Sequence, residues 1–203
     1  MMLFQKNTIL IIMFLFGWNH LYCSQVSPKW TFDQINKANT AKGIDYLNNT
    51  EKEAITILNL ARLYPKKFIE YELKNFHGTP KYGDYLKDSK YKVSLIKAMN
   101  KMTSLPALTP DVRMTKNAKC FAFESGKNGY KGHKRKNCKK ENYAECCSYG
   151  MKTGKEIILQ LLIDHNVSSL GHRRICFSNR YTKIGIGVAQ HKKWDRCCVI
   201  EMI

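Results

Sequence analysis

His133, Glu145, Asp164 and His172 lie in the last third of a 203-residue chain and form its most chemically capable set. Neutral imidazoles and carboxylates suit a borderline divalent cation such as zinc. The same groups move protons near neutral pH. A third outcome is structural, since two histidines and two acids can satisfy one another and tie loops together. All three readings start from the same residues, so the elements that carry them matter.

Asp164 has the strongest local argument. Thr153-Gly154-Lys155-Glu156 is a capping box, and the helix it starts turns Ile157, Ile158, Leu161 and Leu162 inward. Asp164 continues that stripe, and an ionised carboxylate there needs a partner because burying it alone is costly. Glu156 is explained by the cap. His133 falls in a glycine- and lysine-rich loop expected over residues 125–140, and Glu145 in a short extended stretch at 143–149. His77, His165 and His191 read as surface or loop residues outside the set.

Upstream, residues 24–50 are polar and weakly patterned and read as an arm. Thr50-Glu51-Lys52-Glu53 is a second capping box, followed by a helix with Ala54, Ile57, Leu58 and Ala61 on one face. Pro65 ends or kinks that helix. Residues 76–88 read as loop and 91–102 as a helix with Leu95, Ala98, Met99 and Met102 inward. Thr109-Pro110-Asp111 predicts a helix start with Thr109 as cap, running to about Phe123. Ile184, Ile186 and Val188 alternate with Gly185 and Gly187, which predicts a strand whose glycine face admits close packing. Residues 197–203 complete an antiparallel hairpin. Helices with a few antiparallel strands predict an α+β layered domain.

The N-terminus, residues 1–23, reads as a signal peptide: Lys6 precedes an apolar run from Ile9 to Phe16 that is too short to span a bilayer. No later segment is apolar enough to span, so the expected product is extracellular, with no transmembrane segment. Export favours disulfides over zinc thiolates for Cys120, Cys138, Cys146, Cys147, Cys176, Cys197 and Cys198. Cys23 lies at the expected cleavage point. Each member of the two Cys-Cys pairs needs its own partner, and spacing leaves the pairing open. Asn48 and Asn166 head N-glycosylation sequons. The formal net charge is +18. That favours anionic surfaces or glycans, with the acid-free run 127–140 either a docking patch or a solvated loop.

Several motifs resemble those of the CAP superfamily, the SCP-domain proteins (cysteine-rich secretory, antigen 5 and pathogenesis-related). Asn59-Leu60-Ala61-Arg62-Leu63-Tyr64-Pro65 resembles its N-x-x-R-x-x-P, and Leu105-Pro106-Ala107-Leu108 its LPxL. Gly132-His133 and Ala144-Glu145 are similar to its first site histidine and its G-E-N. Gly171-His172-Arg173 followed by Ile184-Gly185-Ile186-Gly187-Val188 resembles GHR…vGvGv of bacterial and protist members. The order holds from about Glu51 to the end, so 51–203 is taken as the domain. The resemblance implies a disulfide-stapled three-layer α-β-α sandwich with a small antiparallel sheet. It also implies a cleft displaying a His-Glu-Glu-His set, carried over to His133, Glu145, Asp164 and His172. The sequence departs from the pattern in three ways. Asp164 is shorter than the family's second glutamate, Cys146 replaces the asparagine of G-E-N, and Arg173-Arg174 replaces an aromatic-rich stretch.

The resemblance implies binding of sterols, other lipids or a protein receptor rather than general catalysis, and a divalent metal such as zinc at the four-residue set. The alternatives are a secreted hydrolase and a membrane-active cationic factor. The hydrolase would be a metal-dependent protease with Glu145 as base, or a nuclease using His133 and His172. No specific nucleic-acid partner is expected. The expected function is a secreted, non-catalytic binding module.

Overall fold

A computed structural model describes residues 26–203. The apolar N-terminal segment and Cys23 lie outside the described residues. The order is α1 (Phe32–Ala38), α2 (Asn49–Leu63), α3 (Pro65–Phe68), a π-helical turn (Ile69–Leu73), α4 (Lys90–Lys101), β1 (Thr109–Pro110), α5 (Val112–Asn128), β2 (Ala144–Tyr149), α6 (Gly154–Ile163), α7 (Gly171–Cys176), β3 (Lys183–His191) and β4 (Asp195–Met202). The sheet runs β1-β3-β4-β2. β3, β4 and β2 are antiparallel, and β1 adds two residues in parallel to β3.

Strand alternation gives the sheet two apolar faces. Cys146, Ile184, Ile186, Cys198, Ile200 and Met202 join the larger core with α2 and α6. Cys147, Cys197 and Val199 join a smaller core with Ala118, Phe121 and Ala122 of α5. The fold is therefore a three-layer α-β-α sandwich. Gly185 and Gly187 let α5 lie on the sheet. A Cβ on Gly185 would fall 2.3 Å from the Met114 carbonyl carbon, and one on Gly187 would fall 2.4 Å from the Lys119 nitrogen.

Several local expectations shift. The first long helix is capped by Asn48, which pairs reciprocally with Glu51, rather than by Thr50 with Glu53. Both stretches carry the polar-x-x-Glu signature. Glu51 wins because its buried carboxylate also receives Val188 N and Lys119 Nζ. Glu53 instead accepts Gly154 N at 2.9 Å and joins α2 to α6. Asp111, not Thr109, caps α5 by accepting Met114 N, because Thr109 and Pro110 are taken by β1. α5 runs on to Asn128, where Gly129 closes it in the left-handed region at φ 70°. In α4 the buried face uses Lys92 rather than Ala98; its ammonium reaches the Lys74 carbonyl at 2.9 Å.

Residues 26–50 are folded onto the domain rather than loose. Thr31 and Gln34 form a capping box on α1, and Trp30, Ala38, Ala41 and Leu47 are buried. Asn59 explains the attachment. Its amide donates to the carbonyls of Ala38 and Leu108 and accepts Leu108 N, all within 3.0 Å. Arg62, fully buried, donates to the carbonyls of Pro106, Cys176, Ser178 and Tyr181. The two polar residues of the N-x-x-R stretch thus gather distant loops around α2.

One disulfide, Cys120–Cys138, is formed among the described residues. This corrects the expectation for Cys146, Cys147, Cys176, Cys197 and Cys198, which are buried thiols. Neighbours on a strand point to opposite faces, so each Cys-Cys pair gives one thiol to each core. Cys146 contacts Cys176 through a thiol hydrogen bond. Cys197 donates to the Ala122 carbonyl at 3.2 Å.

Candidate functional site

β2 is an outer strand, so loops from both helical layers meet at its edge. From the α5 side comes the 130–140 loop. It is held by the disulfide and by Glu124, whose carboxylate accepts the backbone N–H groups of Lys136, Asn137 and Cys138 and the Tyr130 hydroxyl. Burial works against the Glu124 charge, but these donors outweigh it and pull its pKa down to about 2. His191 supports the same loop. It is buried, bonds the Tyr130 carbonyl at 3.0 Å, and is a packed ring rather than a surface residue.

The loop delivers His133 to β2. Gly132 N bonds the Tyr149 hydroxyl at 3.0 Å, and His133 Nδ1 lies 2.8 Å from Glu145 Oε1. His133 is about half exposed, whereas Glu145 is buried. The other Glu145 oxygen is taken by Arg135, whose Nη2 also meets Glu201 Oε1 at 2.5 Å. Burial raises the Glu145 pKa, but His133 and Arg135 reverse this and lower it. Burial pushes the Glu201 pKa up to about 7 against the pull of Arg135, and the neighbouring Glu145 charge adds to the rise.

From the other layer come Asp164 and His172. α6 stops at Ile163, and Asp164 is its C-cap in the left-handed region, φ 56°. It leaves the helical stripe but stays buried with the partner its burial demands. Its carboxylate accepts His172 Nδ1 at 2.7 Å, His172 N at 3.0 Å and Arg173 N at 3.2 Å. A carboxylate only accepts, so in the neutral ring Nδ1 carries the hydrogen and Nε2 keeps its lone pair. Arg173 stands at the start of the stretch where the sequence departs from the family pattern. It is buried and donates to the carbonyls of Leu162, Ile163 and Tyr91.

The set is therefore two pairs, His133–Glu145 and His172–Asp164. Among the described residues, the donor atoms that all fall within 4.8 Å of one another are those of His133, Glu145 and Cys147. This trio could hold a metal ion. Asp164 and His172 are not part of it. Glu145 has both oxygens engaged, and burial holds the Cys147 thiol protonated by raising its pKa strongly. Cys147 was hidden from sequence reasoning by its assignment to a disulfide. Arg135 was hidden among the lysines of the 127–140 run.

Cys147, Asp164 and His172 line a cleft of about 320 Å³ with Tyr85, Tyr149, Met151, Leu161 and Trp194. His165, read as a surface or loop residue, lies in the turn after α6 and also lines the cleft. Its Nδ1 lies 2.9 Å from Ser89 Oγ, and its ring meets Tyr85 and Tyr91 edge-on. The lining is mostly aromatic and aliphatic, with the His172–Asp164 pair, His165, Gln160 and Lys131 as its polar groups. The volume is at the low end of the range for small-molecule sites.

No helix among the described residues is long and apolar enough to cross a membrane. Comparison with curated proteins found no match. A family model, CAP: Cysteine-rich secretory protein family, matches residues 58–202. That span contains the asparagine–arginine anchor of α2, both His–carboxylate pairs and the glycine-faced strand, and the chain belongs to this CAP family.

Proposed function

We propose that this chain is a secreted, non-catalytic binding module whose cleft takes a lipid or sterol by one end. The cleft carries the reading. Tyr85, Met151, Leu161 and Trp194 supply apolar surface, and His172 supplies one oriented acceptor beside them. A ligand with an apolar body and a hydroxyl or carboxyl head matches that pattern. The cleft is too small to enclose a whole sterol, so part of the ligand would stay outside. The family match and the Cys120–Cys138 bridge support export. The net charge of +18 supports loose attachment to anionic surfaces or glycans, released by salt.

The test is equilibrium binding of radiolabelled cholesterol and palmitate to the oxidised protein, beside Leu161→Trp, which fills the cleft, and His172→Ala. Saturable binding near one per chain, abolished by Leu161→Trp, is the expected result. Binding that ignores both substitutions, or no binding of either ligand, removes the reading.

A second reading, hydrolysis, draws on one observation. Asp164 orients His172 as a carboxylate orients a general base. Among the described residues no hydroxyl is bonded to His172, so water would be the nucleophile. Ester or phosphodiester turnover that disappears in His172→Ala would establish it. The trio near His133 gives no relay, because Glu145 and Cys147 both approach the same nitrogen, Nδ1.

A further inference from the structure

The packing of α5 against the sheet brings together lysines that are far apart in the sequence. The β3–β4 hairpin turns at Lys192 and Lys193, and its tip lies on the last turns of α5. Lys192 N donates to the Gly126 carbonyl at 3.1 Å. Gly126 permits the approach, since a Cβ there would collide with the Gln190 carbonyl oxygen. Between the two elements runs a groove of about 880 Å³ lined by Lys119, Phe123, Lys127, Gln190 and Lys192. It adjoins a hollow of about 390 Å³ that shares Val188, Ala189 and Gln190 with it and adds Arg196. The groove shares no lining residue with the cleft at His172.

Two acids also line the groove, and both are held by lysines. Glu51 is buried and paired with Lys119 at 3.1 Å, and Asp195 pairs with Lys81. Lys127 and Lys192 are exposed and, among the described residues, have no acidic partner. The Lys127 ammonium lies 5.9 Å from the centre of the Phe123 ring, which is 64 % exposed. The groove is thus a concave cationic track with a bare aromatic ring on its wall. An extended polyanion can enter it and reach both lysines, whereas a flat bilayer meets only the rim. The ring offers the apolar faces of sugars a surface to lie on. Ammonium groups are point charges with three donors each, which suits sulfate groups along a chain. We propose that this groove binds a sulfated glycan. The assignment deepens the attachment to anionic surfaces in the proposed function and rests on that part of the reading.

The test is calorimetric titration of the oxidised protein with a heparin octasaccharide at about 0.15 M salt. The protein is made without N-glycans, because Asn48 also lines the groove. Saturable binding is expected, and Lys127→Gln/Lys192→Gln should weaken it about thirtyfold, the joint effect of two lysines facing an anionic surface. Lys66→Gln/Lys67→Gln removes the same charge from exposed lysines of α3. Those lysines follow the C-terminal end of α2, whose N-terminal end borders the groove. That helix puts them about 20 Å away, beyond the screening length of about 8 Å, so the loss there should stay under about threefold. Fully desulfated heparin should not bind. No binding by wild type, equal binding of the desulfated chain, or equal losses in the two double variants would each overturn the proposal. So would groove lysines that govern binding to phosphatidylserine vesicles but not to heparin, which would make the occupant a membrane. Vesicles that still hold wild type and release it in salt would leave the general attachment standing, so the two failures are distinguishable.

Discussion

Asp164→Asn tests what orients the polar end of the cleft. Asparagine is nearly isosteric and tolerates the left-handed backbone at this position, φ 56°. Its carbonyl oxygen can keep the donors His172 N and Arg173 N, now at 3.0 and 3.2 Å. Its amide nitrogen then faces His172 Nδ1 and, being a donor, requires a lone pair there. The neutral imidazole must change tautomer, and Nε2 turns from acceptor to donor. Hydrogen bonds to a charged partner contribute about 1.5–3 kcal/mol, against about 0.5–1.5 kcal/mol for neutral ones. Over the three bonds to this carboxylate the difference is about 3 kcal/mol. Arg173, buried and offset by the Asp164 charge, adds in the same direction. Relief from burying an ion works the other way, so the expected net loss is about 2–3 kcal/mol. Urea unfolding at neutral pH reads the loss, and nitrogen NMR of the His172 ring reads the tautomer. A loss under about 1 kcal/mol with the tautomer unchanged would refute the argument.

Arg62→Lys should cost about 3 kcal/mol or more in urea unfolding, because one ammonium cannot span four carbonyls and the stranded acceptors are buried. A cost near zero would mean that the guanidinium does not anchor those loops. Glu201 has its pKa raised from 4.5 to about 7 in the folded chain, so the fold holds an extra proton in that window. Stability should therefore fall as pH rises through it, and Glu201→Gln should flatten that slope in thermal melts. Burial raises the thiol pKa of Cys147, Cys197 and Cys198, and the hydrogen bond with Cys176, followed by burial, raises that of Cys146. Iodoacetamide at pH 8 should label them only after denaturation, and rapid labelling of the native chain would contradict their burial.

The sequence made β3 and β4 readable because alternation and the glycine face agree on one answer. The Thr153 box held for the same reason, with no competing cap nearby. Around Thr50 and Thr109 two equivalent signatures lie within two residues, and tertiary partners such as Val188 N and β3 chose between them. Asp164 was legible as a buried acid in need of a partner, although it ends the helix rather than riding it. That His133–Glu145 and His172–Asp164 would form separate pairs was not legible, since their separation depends on which helical layer each loop leaves. His165 and Arg135 were missed because neither a lone histidine nor one arginine among lysines carries a local sign of burial.

The split of each Cys-Cys pair across the sheet constrains how the chain can mature. Once β2 and β4 have zipped together, a thiol in one core cannot meet a thiol in the other unless the sheet opens. Oxidation before that moment can cross-link Cys146 or Cys198 to residues of the wrong layer and trap the chain. Oxidation after it is confined to neighbours within a layer. The sheet therefore acts as a sorting partition, and productive maturation favours slow oxidant supply relative to strand pairing.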